Sequence, residues 1–298
     1  MTSVFSDLRR TLQYPGNSLM KFIIVNVAVF VLIKLVWVVG LLFQLSLPLD
    51  QWVLKQLAVP ASLHSLLYKP WTLFTYMFLH EGVFHILFNM LVLYWFGQIL
   101  TEYLGNKKFV YTYILGGISG AVFYIVCFNL FPLFTSTVEY SQALGASGAV
   151  MAIVFATATL LPDYSVMLFI IGSVRLKYIA LFYLIFDLIG IGSINSGGHL
   201  AHLGGALFGF IMVSQLRKGN DFINGIDRQV QKLRSLFIRK PKLRVAHKAN
   251  TTTQKPRKPH SETDQAVIDA ILDKISKSGY ESLSKEEKQI LFKASNQK

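Results

Sequence analysis

The sequence predicts an all-α, polytopic membrane protein, and three observations carry that reading. Apolar residues make up 53% of the 298 and mean hydropathy is +0.46. Only 15% are charged, against about a quarter in a soluble globular domain. Apolar runs recur at Phe22 to Leu47, Val83 to Leu104, Phe109 to Phe131, Ser147 to Leu161, Tyr178 to Ile191 and Leu200 to Leu216. A hydrocarbon core of about 30 Å asks for roughly 20 residues of helix, so these are read as six spans. Finally, the basic residues fall at alternate connections: Arg9, Arg10 and Lys21, then Lys107 and Lys108, then Arg175 and Lys177, then Arg217 and Lys218.

That alternation gives an orientation. The connections at 132–146 and 191–199 hold no Lys or Arg, and Lys55 and Lys69 in the long first loop are the exceptions. An even number of spans and the positive-inside rule put both termini in the cytoplasm, and the expected location is the cell (inner) membrane. The expected organisation is an amino-terminal segment 1–20, a six-helix membrane domain 21–216, a basic cytoplasmic linker 217–262 and a small helical tail module 263–298. The first run is too long for the apolar region of a signal peptide and lacks a small-x-small cleavage site, so it is expected to be retained. Cys127 is the single cysteine and lies in an apolar run. That leaves neither a disulfide framework nor a thiolate metal site.

Within the first span, Asn26 reads as a helix–helix hydrogen-bonder, and Lys34 as a side chain that snorkels or faces the bundle. Residues 48–79 are broken by Pro48, Pro60 and Pro70 and carry Trp52 and Trp71. They suit an interfacial loop with short helical pieces. Tyr164 to Leu176 is expected to be a connector of extended or hairpin character.

The run Leu-Gly-Ala-Ser-Gly-Ala at 144–149 opens the fourth span. Ser147 between two glycines fits either a small face for close helix packing or a nucleophile that backbone and substrate can approach. Its company favours the second. With the amino terminus inside, the second, fourth and sixth spans run from outside to inside, and their first turns carry His85 and Asn89, Ser147, and His202. From Asn89, Ser147 and His202 to the far end of each span is about 15 to 16 residues, or roughly 22 to 24 Å of helix. The three therefore share one depth below the outer surface, where polar groups need a wet cavity. Small residues Gly148, Ala152 and Ala156 on one helix, and Gly205 and Gly209 on the face of His202, permit close approach. An imidazole within reach of a serine is a general base on a nucleophile. His85, the Asn89 amide and the Ser147 N–H are suitable oxyanion donors.

These residues resemble the rhomboid family of intramembrane serine proteases, bacterial type. The match rests on His85-Ile-Leu-Phe-Asn89, on Gly145-Ala-Ser147-Gly148, and on Ala201-His202-Leu-Gly-Gly205-Ala-Leu-Phe-Gly209, and it covers about residues 20–216. The resemblance implies a six-helix rhomboid-like bundle with Ser147 as nucleophile, His202 as base of a Ser-His dyad, and His85 with Asn89 as oxyanion donors. Gly145, Gly148, Gly205 and Gly209 would serve close packing. It also implies hydrolysis of peptide bonds in or beside transmembrane segments of membrane-anchored substrates, with no cofactor and no metal. A catalytically inactive relative that binds transmembrane clients is the alternative. His80 matches a further histidine of the family, with a supporting role, and Glu102 and Asp187 have counterparts expected to make helix-end or interhelical hydrogen bonds. Trp71-Thr72 departs from the Trp-Arg of many members. His199, three residues before His202, lacks the glycines at the right spacing, so His202 is taken as the base.

After Arg217 the chain turns basic and polar. This suits a linker held near anionic lipid better than a nucleic-acid site, and no nucleic-acid partner is expected. Ala266, Ile268, Ile271, Leu272 and Ile275 follow helical spacing, and Ser284 to Glu287 reads as a capping box opening a second short helix. The sequence gives no oligomeric state.

Overall fold

Each apolar run becomes helix in the computed structural model, which describes residues 16–44, 48–168, 172–237 and 262–295. The chain divides into two units, Met1–Ile238 and Arg239–Lys298. Most of the expected amino-terminal segment, the end of the first expected span, the hairpin tip, much of the expected linker and the last three residues lie outside the described residues.

Helix α1 (Ser18–Leu42) starts where the Asn17 side chain accepts from the Met20 N–H at 3.3 Å. Valines and leucines stand exposed around it, Leu32 at 61% and Leu42 at 72%, as a helix turned toward lipid requires. Asn26 is fully buried and donates to the Phe22 carbonyl and the Tyr113 hydroxyl, so it ties two helices together as expected. Lys34 reaches out of the helix to the Glu81 carbonyl at 2.9 Å.

The loop that follows holds α2 (Leu49–Leu57), β1 (Val59–Pro60), α3 (Leu63–Tyr68) and α4 (Thr72–Thr75). Trp71 donates its indole N–H to the Gln56 carbonyl at 2.9 Å, and the buried Thr72 hydroxyl bonds the Lys69 carbonyl at 2.6 Å. The loop is thus pinned through tryptophan and backbone at the position where Thr72 departs from the family pattern. β1 pairs antiparallel with β2 (Gln142–Ala143), Val59 opposite Ala143, and Ala61 N–H continues the ladder to the Ser141 carbonyl. That bridge fixes the strand leading into Ser147.

Helix α5 (Val83–Leu130) is two helices joined at Gly105, whose φ of 81° and ψ of 163° interrupt the helix; glycine adopts such a conformation without a Cβ penalty. α6 (Ser147–Leu160) has 14 residues, about 21 Å, and is too short for a core of about 30 Å. Its far carbonyl, that of Leu160, accepts from Arg217 at 2.9 Å. α8 (Ser196–Arg217) closes the bundle. Among the described residues, α1, α5 and α8 are long and apolar enough to cross a membrane.

The second half of α5, α6 and α8 meet through glycine. A β-carbon on Gly205 would collide with the Gly148 carbonyl, one on Gly209 with the Ala152 carbonyl, and one on Gly116 with the Ala152 side chain. Backbone contact of this kind needs small residues on both partners. The Ser119 hydroxyl adds a 2.9 Å bond to the Gly204 carbonyl.

Between α6 and α8 the chain forms a hairpin, β3 (Ser165–Leu168) and β4 (Gly172–Arg175), as expected for the connector. It leads into α7 (Leu176–Ile189), which buries only Leu176, Ala180 and Asp187. A cavity of about 660 Å³, bordered by Trp95, Phe96, Ile179 and Phe182, separates α7 from the first half of α5.

The segment expected to be linker begins with helix α9 (Phe222–Phe237). Asp227 pairs with Lys107 at 2.6 Å and accepts from the Tyr111 hydroxyl, Asp221 pairs with Lys108 at 2.8 Å, and Ile223 is buried. The second unit holds α10 (Glu262–Ser278) and α11 (Lys285–Ser295). Glu287 accepts from the Ser284 N–H at 2.7 Å while the Ser284 hydroxyl accepts from the Glu287 N–H at 3.2 Å. This is the reciprocal pair of a capping box.

Candidate active site

Ser147 is the first residue of α6, and what precedes it sets its position. Gly145 takes φ 133°, a conformation that side chains rarely adopt, and its N–H bonds the Tyr76 carbonyl at 3.0 Å. A β-carbon there would lie 3.1 Å from His85 Nε2 and 3.4 Å from Ser147 Oγ. The imidazole of His85 and the hydroxyl of Ser147 therefore border one small space that only glycine leaves open. As first residue of the helix, Ser147 has a backbone N–H with no partner inside it, at the positive end of the helix dipole.

His202 enters from α8. Gly148, next to Ser147, packs against Ala201, next to His202: a β-carbon on Gly148 would lie 3.2 Å from the Ala201 carbonyl oxygen and 3.1 Å from the Tyr76 hydroxyl oxygen. One turn on, Gly205 receives the Gly148 carbonyl. The crossing of α6 and α8 is thus centred on the neighbours of Ser147 and His202. Both of these side chains are half-buried, protected from bulk solvent yet reachable.

The remaining expected residues lie on the first half of α5 and just before it. Asn89 is buried and donates one amide N–H to the His85 carbonyl at 2.8 Å, which leaves its second N–H. His80 is 1% exposed and meets His85 edge-on with ring centroids 5.1 Å apart. Burial, with His85 adding to it, lowers its pKa to about 3, so the ring is neutral.

Asp187, 3% exposed on α7, places Oδ1 2.8 Å from His202 Nδ1 and also 2.8 Å from His199 Nδ1. The expected interhelical bond is there, but its partners are the candidate base and its neighbour. A carboxylate inside an apolar run was the available signal. The two residues lie 12 and 15 positions away across a turn, so no helical period links them. His199 turns its other nitrogen toward Gly190, where a β-carbon would collide with the ring. Asp187, His199 and His202 also form a group whose ligand atoms, within 4.8 Å of one another, could hold a metal ion. Their 2.8 Å separations are those of hydrogen bonds.

Residues 68–218, half of the chain, match the Rhomboid domain, and residues 260–297 match a family of unknown function (DUF6576). The chain is 32% identical over 158 residues to RHOMBOID-like protein 12, mitochondrial, of Arabidopsis thaliana, covering 50% of this chain and 47% of that one. It is 34% identical over 140 residues to presenilin-associated rhomboid-like protein, mitochondrial, of Mus musculus, covering 44% and 34%. With the Homo sapiens protein of that name it shares 32% over 149 residues, covering 46% and 35%. The match thus spans half or less of each relative's length. These names correct one expectation. A cell (inner) membrane location with both termini cytoplasmic is overturned by relatives named mitochondrial. Charge bias separates a basic face from a neutral one, but it does not say which compartment the basic face meets. With the domain matched across the three motif helices, the chain belongs to the rhomboid family.

Proposed function

We propose that the protein is an intramembrane serine endopeptidase that hydrolyses peptide bonds in or next to transmembrane segments of membrane-anchored substrates. The observation that carries the reading is the convergence of Ser147 Oγ and His85 Nε2 on the space beside Gly145. The crossing that sets His202 beside the same helix end supports it. Ser147 Oγ attacks the scissile carbonyl carbon as its proton passes to His202. The oxyanion that forms is met by His85, by the second N–H of Asn89 and by the Ser147 backbone N–H. His202 then returns the proton to the leaving amine. A water, activated by the same ring, attacks the acyl-enzyme and releases Ser147.

In this reading six helical stretches span the bilayer, and the short α6 sets the reaction several ångströms below the surface on the neutral side. The reading needs neither cofactor nor metal, and its partners are lipid and protein. The second reading, an inactive relative that binds transmembrane clients, is separated by a fluorophosphonate probe on the full chain in detergent. Label is expected on wild type and absent from Ser147→Ala and His202→Ala. An unlabelled wild type that still retains transmembrane clients favours the second reading, and label persisting in Ser147→Ala removes Ser147 as nucleophile.

A further inference from the structure

A base acts only if its lone pair faces the nucleophile, and an imidazole has two nitrogens to choose between. Resting on the reading above, we propose that Asp187 is a positioning residue for His202, extending the proposed Ser147–His202 pair by one carboxylate. Oδ1 of Asp187 lies 2.8 Å from His202 Nδ1, a distance at which the ring donates and the carboxylate accepts. The proton therefore resides on Nδ1, and the lone pair on Nε2, the nitrogen free to meet Ser147.

The balance of the step is simple. The Ser147 O–H bond breaks as its oxygen bonds the carbonyl carbon, and the proton goes to Nε2. The imidazolium then keeps Nδ1–H on the carboxylate. Asp187 stays ionised, and its charge opposes the positive charge that appears beside it. When the intermediate collapses, the Nε2 proton leaves with the amine.

Two features make this more than a helix pin. Asp187 is the buried polar side chain of α7, a helix that otherwise buries only Leu176 and Ala180. Its carboxylate turns inward at the one level where α8 carries histidines. Its Oδ1 also holds His199 Nδ1 at 2.8 Å, so two rings present N–H to one oxygen and a rotation of His202 would have to break that arrangement. A pin alone would need one such bond.

Other titratable groups bear on this cluster. His199 shares the helix of His202 and meets its ring edge-on at 6.0 Å, Tyr183 interacts with Asp187 one turn earlier on α7, and His85 faces His202 from α5 with Glu81 near it. A pH test must therefore compare variants that leave all of these in place.

The test uses the full chain in detergent, with fluorophosphonate labelling rates measured across pH for wild type and Asp187→Asn. The variant keeps the size of the side chain but removes the charge and offers Nδ1 an N–H. Labelling at neutral pH is expected to fall roughly 100-fold or more, with a pH profile that no longer follows that of wild type. A purely structural role predicts a lower melting temperature, with the folded fraction labelling at the wild-type rate and profile, and that result overturns the proposal. A measurement on wild type alone guards against a variant that fails to fold. Nitrogen-15 spectra of histidine-labelled protein, with His202 assigned by His202→Gln, should show Nδ1 protonated and Nε2 bare. The opposite tautomer also overturns the proposal. An unlabelled wild type counts instead against the hydrolase reading, which keeps the two failures apart.

Discussion

At the scale of single residues, the site depends on what is missing as much as on what is present. Gly145 stands in a conformation disfavoured for side chains, with His85 Nε2 and Ser147 Oγ within 3.4 Å of where a β-carbon would go. Gly145→Ala should therefore cost about 1–3 kcal/mol of backbone strain and push the ring and the hydroxyl apart. The expected outcome is a protein that still folds but labels with fluorophosphonate at least ten-fold more slowly, checked by labelling rate beside a melting curve. Wild-type labelling would show that the space beside Gly145 is not where the substrate carbonyl sits. The sequence made this glycine visible through its place two residues before Ser147, made Asn89, Ser147 and His202 visible through their shared depth, and placed His85 four residues before Asn89 on one helical face. It did not show that Asp187 meets both His199 and His202, because that contact joins two helices across the Gly190–Gly192 turn and has no spacing rule. Nor did it show the bond from Gly145 N–H to the Tyr76 carbonyl, which spans a long stretch of chain through backbone atoms that carry no residue signature.

At the scale of elements, hydropathy located the helices and glycine spacing located their contacts. The crossing of α6 and α8 has Gly205 against the Gly148 carbonyl, with no room for a methyl group. Gly205→Ala must shift one helix against the other, an overpacking that costs typically about 1–3 kcal/mol. A melting temperature lowered by several degrees and a loss of labelling are expected together, since Ser147 and His202 both adjoin that crossing; an unchanged melting curve would contradict the packing. The helix that composition concealed is α9. Its Ile223, Ile226, Val230 and Leu233 follow helical spacing, but Arg228, Lys232 and Arg234 between them make the stretch read as basic linker. Apolar contact and charge both dock α9: Ile223 is buried, Phe222 meets Phe208 edge-on, and two carboxylates pair with Lys107 and Lys108. The hydrogen bond and charge of Lys107 hold the Asp227 carboxyl below its ordinary range, while for Asp221 burial pushes upward and is outweighed by the Lys108 bond, the Asn224 N–H and the charges of Lys108 and Lys107 together. Lowered carboxyl values give stability that is present above the unfolded value of about 3.9 and is lost as pH falls through the lowered values. Amide exchange in α9, corrected for its intrinsic pH dependence, should be slow at neutral pH and rise several-fold below pH 4. Lys107→Ala should bring that rise to neutral pH. Exchange insensitive to both would mean that apolar contact around Ile223 alone holds the helix.

At the scale of the whole molecule, the division into Met1–Ile238 and Arg239–Lys298 leaves the whole candidate site in one unit. Ser147, His202, Asp187, His85 and Asn89 all lie in the first unit, as do the β1–β2 bridge, the glycine contacts and the docked α9. The second unit has its own means of holding together: Ile271 and Leu283 are buried, Lys274 pairs with Glu287 at 2.9 Å, and the capping box starts α11. A chain ending at Ile238 should therefore keep its melting temperature and label with fluorophosphonate within about two-fold of the full chain. A chain ending at Arg217 loses α9 and with it the carboxylates that pair with Lys107 and Lys108. It should melt lower while retaining the labelling site, because Arg217 still caps the Leu160 carbonyl and the α6–α8 crossing is intact. The pair of truncations separates two roles for the carboxyl-terminal region. Should removal of residues 239–298 abolish labelling in a protein that melts normally, the second unit would be part of the catalytic assembly, and the site could no longer be described from the membrane unit alone.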